Sequence, residues 1–133
     1  MDLPCAKEER NRYDVWAAFL TGKVLVLYHG CTGDARIEDA VYRMMRQLMR
    51  HIAVNTLFNW GAARWYECQI PLLWLYERRP EEWILEMATL LEAEEIDYVK
   101  LYGRFDFRKP HASRYWTQIN HVVNTAMALR AGR

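Results

Sequence analysis

Ile37, Val41, Met44, Leu48, Ile52 and Leu57 recur at intervals of three to five residues. That spacing lays them along one side of an α-helix and is out of step with the two-residue period of a strand. Gly30-Cys31-Thr32-Gly33-Asp34 precedes the stripe as a loop. Thr32 or Asp34 is placed to cap the helix, with Glu38 and Asp39 in its first turn, where the helix dipole favours negative charge. Gly61 is the expected stop. An apolar stripe of this length must be covered by other elements, so the rest of the chain has to supply partner helices or a sheet.

Most of it supplies helices. Tyr13, Trp16, Ala17 and Leu20 sit at helical spacing within Glu8–Leu20, with Gly22 as a natural end. Lys23–Tyr28 reads two ways, as a short buried strand or as a continuation of the helical face through Gly22 in Leu20, Val24, Leu27 and Tyr28. Residues 62–78 carry Trp65, Tyr66, Leu72, Leu73 and Tyr76 around Pro71, which predicts a bend or two short pieces. Pro80, Glu81 and Glu82 open a further helix whose buried face is Trp83, Met87, Leu90 and Leu91. Residues 98–107 are read as a short extension or a hairpin turning near Gly103. Ser113 is the expected cap of a last helix burying Tyr115, Ile119, Val122, Ala126 and Leu129. The fold class is therefore mainly α: one antiparallel bundle of four to five helices over residues 7–133, behind a loose tail of residues 1–6, with a short strand or hairpin as an option at 23–28 or 98–107. A length of 133 residues suits one such domain.

Composition excludes several classes. The 52% hydrophobic and 26% charged content is that of a folded chain. Apolar runs such as Val24–Tyr28 fall far short of a membrane span, and the N-terminal residues lack the apolar core of a secretory signal. Three cysteines, Cys5, Cys31 and Cys68, without Cys-x-x-Cys spacing argue against a disulfide framework and for a cytoplasmic protein. No metal is expected, because the histidines and cysteines fall into no ligand spacing, and no nucleotide or other cofactor motif is present.

Two patterns carry candidate chemistry. In Lys23-Val-Leu-Val-Leu-Tyr-His29-Gly-Cys31-Thr-Gly-Asp34-Ala-Arg36, a stretch readable as a strand leads to a Cys on a Gly-containing loop that enters a helix. This resembles the anion loop of cysteine phosphatases and rhodanese-like proteins. The resemblance implies Cys31 as nucleophile, Arg36 as anion clamp and Asp34 as proton donor, on helix-start amides. The four residues between Cys31 and Arg36 match the rhodanese spacing; phosphatases have five and place His directly before Cys. Both families also need a parallel sheet for which the remaining sequence offers no strands. The second pattern, Arg46-x4-His51, is similar to the Arg/His pair of HEPN-type helical ribonucleases. It implies His51 acting on a 2′-hydroxyl proton and Arg46 stabilising the phosphorane. Arg104-x6-His111 and Arg114-x6-His121 satisfy the same loose spacing.

The remaining signals concern surfaces. Residues 77–97 hold eight acids against two bases, and residues 98–133 seven bases against one acid. The basic segment, rich in aromatics over 98–116, is a candidate for RNA or a phosphate-bearing ligand through Arg104, Arg108, Lys109 and Arg114. Trp60, Trp65 and Trp74 lie close in sequence to Arg64, Arg78 and Arg79, and Trp, Tyr and Arg are the residues enriched where proteins grip one another. A bundle of this size cannot hide all eighteen aromatics. The favoured expectation is a small, non-catalytic regulatory, inhibitory or accessory subunit. It docks on another protein, or on a second copy, through Trp60, Arg64, Trp65, Trp74, Arg78, Arg79 and the basic C-terminal third.

Overall fold

A computed structural model describes residues 14–94, 96–103 and 121–128. They form helices α1 (Trp16–Thr32), α2 (Arg36–Ile52), α3 (Asn59–Ala63), α4 (Tyr66–Tyr76), α5 (Glu82–Ala93), α6 (Tyr98–Gly103) and α7 (Val122–Ala128), and no strand occurs among the described residues. The mainly helical bundle read from the sequence is what the chain adopts. The strand option at 23–28 is replaced by the middle of α1, and the hairpin option near 98 by α6. Residues 1–6, the Ser113 cap and the basic positions Arg104, Arg108, Lys109 and Arg114 lie outside the described residues.

Gly22 does not end the first helix. It lies buried in the middle of α1, where a Cβ would come within 2.7 Å of the Met45 Cε, 3.0 Å of the Pro71 Cγ and 3.1 Å of the Met44 Cε. The missing side chain lets α1 close onto α2 and α4 together, which offsets glycine's poor helix propensity. The helix stops instead at Gly33, whose φ of 65° is the left-handed conformation that glycine adopts without a Cβ penalty, and its N–H donates to the His29 carbonyl at 2.8 Å. The cap position of α2 is Ala35 rather than Thr32 or Asp34, but Asp34 just before it still accepts the Arg36 N–H on its Oδ1 at 3.0 Å.

The apolar stripe of α2 is buried as Ile37, Val41, Met45, Leu48 and Ile52. Met45 takes the deep position expected of Met44, which packs at the margin, and the helix ends at Ile52, nine residues short of Gly61. Gly61 sits in α3, where a Cβ would crowd Val15 and Asp14. The segment around Pro71 does divide in two, but at Arg64–Trp65, between α3 and α4. Pro71 itself lies buried inside α4, its ring filling the notch that Gly22 leaves. Consecutive long helices double back on one another, so α1, α2, α4 and α5 run up, down, up and down. The core gathers Phe19, Val41, Met45, Leu72, Leu75, Ile84, Met87 and Leu91 between them.

Candidate functional site

The two catalytic constellations do not assemble. Cys31 occupies the last turn of α1, exposed, at the end of a helix that presents carbonyls rather than amides, so an oxyanion finds no cradle there. Arg36 is committed to its neighbour: its guanidinium donates to both Asp34 oxygens, Nη2 to Oδ2 at 2.7 Å. These hydrogen bonds from Arg36 hold the Asp34 carboxyl down at about 2, so at neutral pH it is ionised and has no proton to give. Arg46 and His51 share α2, as their spacing implies, but each is engaged with a different partner. Arg46 lies over the Trp83 ring at 4.9 Å, whereas the His51 ring faces Asn55. Among the described residues no group of three or more His, Cys, Asp or Glu side chains gathers where a metal could bind.

The aromatic and arginine residues are brought together, in a different role from the one expected. No described tryptophan is exposed. Each half-buried or buried ring, Trp65 apart, has a cation over it: Arg64 over both Trp16 (5.1 Å) and Trp60 (5.6 Å), Arg78 over Trp74 (4.0 Å) and Arg46 over Trp83 (4.9 Å). His29 adds an edge contact to Trp74, and His121 one to Trp60. Guanidinium groups thus roof indoles at the rim of the core, an arrangement that covers the ring faces; Arg78 keeps its charge in water, whereas Arg64 is largely enclosed. Trp65 is simply buried, so its assignment to a docking surface is corrected. Arg64 and Arg79 are likewise engaged inside the molecule. Arg64 donates to the Asn124 Oδ1 and pairs with Glu67, and Arg79 donates to Glu38 and Asp39 while lying over Tyr42. Trp74 and Arg78 remain at the surface together.

Two acids that the sequence reading passed over organise this region. Glu67, 1% exposed, accepts the Trp16 indole N–H at 2.6 Å and lies between Lys23 (3.6 Å) and Arg64 (3.7 Å). It ties α1 to α4 and, through Arg64 and Asn124, to α7. Asp14 accepts backbone N–H groups from Trp16, Trp60 and Gly61 at 2.9–3.0 Å, closing the start of α1 and of α3 with one carboxylate. A lone acid inside an otherwise apolar helical stretch, as Glu67 is in Tyr66–Tyr76, was the signal available for the first of them.

What the surface does expose is aliphatic. Along α1, Val24 (61%), Leu27 (60%) and Tyr28 (48%) face solvent, beside exposed Ala17, Thr21 and Cys31. Along α4, Ile70 and Leu73 do the same. The charged side chains of α1 are turned elsewhere: Lys23 towards Glu67 and His29 onto Trp74. The outward faces of α2 and α5 contrast with this, carrying Asp39, Arg43 and Arg50, and Glu82, Glu86 and Glu92. No helix among the described residues is long and apolar enough to cross a membrane. No family model, no curated protein and no solved structure matches this chain.

Proposed function

We propose that this chain is a small non-catalytic interaction protein, a regulatory, inhibitory or accessory subunit that docks through the outward face of α1 and the neighbouring stripe of α4. The observation that carries the reading is the uncharged, apolar face of α1 at Val24, Leu27 and Tyr28. A helix that must face water on one side normally carries charges there, and a contiguous apolar strip left in the open is the usual mark of a contact surface. The tryptophan–arginine surface is retained only at Trp74 and Arg78. A cytoplasmic setting fits three cysteines without paired spacing.

The test is affinity capture from cells expressing the tagged full chain, compared with Val24→Lys/Leu73→Lys and, as control, Leu85→Lys on α5. The reading expects a stoichiometric partner, another protein or an untagged copy, that the wild type and the control retain and the double variant loses. Identical recoveries from all three, with folding intact by circular dichroism, contradict it.

A further inference from the structure

The exposed residues of α1 are spaced for a partner of a particular shape. Ala17, Thr21, Val24, Tyr28 and Cys31 are all exposed and follow one another at intervals of four, three, four and three residues. That alternation is the seam of a helix that packs lengthwise along another helix. The seam lies opposite Gly22, on the side of α1 that the other described helices leave uncovered. We propose that the partner is a second copy of this chain, with α1 packed antiparallel against α1 of its twin. The proposal rests on the docking reading above and names its occupant.

Three features favour self-pairing. First, the seam holds no charge, so placing it against itself creates no like-charge contact. Second, the residues match in size when the helices run antiparallel about a two-fold axis between residues 22 and 23. Tyr28 then meets the partner's Ala17, and Val24 meets the partner's Thr21, giving four layers that each set a larger side chain against a smaller one. A parallel arrangement stacks Tyr28 on itself and leaves the Ala17 and Thr21 layers underfilled. Third, the Thr21 hydroxyl, the polar group nearest the two-fold axis, already donates to the Ala17 carbonyl of its own helix at 2.8 Å, leaving its methyl to pack. Even with flanking Leu27, a face of six side chains is smaller than the ~800 Å² per partner of a standard interface, so the association is expected in the micromolar range.

The experiment is light scattering coupled to size exclusion on the full chain, from about 1 to 200 µM, a span chosen to bracket a micromolar Kd. The expected result is a shift from monomer to dimer within that span. Val24→Lys should raise the dimer Kd about 100-fold, since the symmetry loses two buried contacts and sets two lysines close together beside the axis. Tyr28→Glu should raise it about as much, since two large side chains are lost and a charge is set against the partner's Ala17 at each end. Leu85→Lys, apolar and exposed on α5, should leave the Kd unchanged. A wild type that stays monomeric throughout overturns the second-copy proposal while leaving docking of a different protein on this face to the capture experiment. A dimer that survives both seam variants, with folding intact, overturns the proposal and shows that association uses another surface, which counts against the docking reading as well.

Discussion

Replacing Glu67 separates two contributions that its carboxylate makes at once. The group is 1% exposed, accepts the Trp16 indole N–H at 2.6 Å, and balances Arg64 at 3.7 Å and Lys23 at 3.6 Å. Glu67→Ala removes all three partners and leaves a space beside Pro71. Truncating one member of a buried charge pair costs about 3–5 kcal/mol, most of it from the charge left behind. Here the lower half applies, because Lys23 can turn to water and Arg64 keeps the Asn124 Oδ1. About 3 kcal/mol is therefore expected for Glu67→Ala. Glu67→Gln keeps the volume and an amide oxygen for the indole and loses only the charge, so about 1–2 kcal/mol is expected. The pair Arg64→Met/Glu67→Leu should recover part of the loss, since neither member then leaves a charge stranded. Equilibrium unfolding in urea, followed by tryptophan fluorescence and circular dichroism at one fixed protein concentration, reads all four proteins. A Glu67→Ala variant within 0.5 kcal/mol of wild type, or a Gln variant as damaged as the Ala one, refutes the role given to this carboxylate.

Other outcomes follow from the same packing. Gly22→Ala should cost no more than about 1 kcal/mol, its better helix propensity offsetting a contact that the Met45 terminus can relieve, whereas Gly22→Val should cost about 3 kcal/mol or more because the Pro71 ring cannot retreat; urea midpoints distinguish them. Asp14→Ala should destabilise by about 2 kcal/mol through the loss of three backbone acceptor contacts, with Asp14→Asn intermediate, again by urea unfolding. Burial pushes the Cys68 thiol and the Tyr66 phenol above their ordinary values of 9.0 and 10.0. Both therefore hold their protons more tightly folded than unfolded, and their stabilisation, complete below those values, is lost as pH rises through them. For Cys68 the slope is about 1.4 kcal/mol per pH unit above pH 9, so Cys68→Ala, whatever its cost at pH 7, should show a shallower alkaline decline in unfolding free energy. In the native protein Cys31 should react with a thiol reagent at once and Cys68 only on unfolding, as peptide mapping of the labelled chain will show.

The elements that could be read from the sequence are those whose two sides differ. The stripe of α2 stands out because polar residues separate its members, and Trp83, Met87 and Leu91 of α5 stand out against Glu82, Glu86 and Glu92 for the same reason. Helices α1 and α4 are apolar on nearly every side, so periodicity could not say which face turns inward or, over Lys23–Tyr28, whether the chain was helical at all. Gly22 and Pro71 then misled together. Each alone signals a break, yet side by side the notch of one receives the ring of the other, a complementarity visible only once α1 and α4 meet. The aromatic inventory could not say which rings reach the surface. Among the described tryptophans, arginines lie over Trp16, Trp60, Trp74 and Trp83, and the large apolar side chains that α1 and α4 expose are Val24, Leu27, Tyr28, Ile70 and Leu73 instead. The anion loop failed for a positional reason: its cysteine falls at the end of one helix rather than the beginning of the next.

The most direct measurement of whether the open side of α1 meets a second α1 is a cross-link in chains whose Cys5 and Cys31 are replaced by Ser. Thr21→Cys and Val24→Cys are made in separate proteins and mixed under mild oxidation. Antiparallel pairing about residues 22 and 23 brings position 21 of one chain beside position 24 of the other, so the mixture should yield a mixed disulfide dimer in excess of either homodimer. A mixture that stays monomeric, or gives the three dimers in statistical proportion, contradicts the pairing.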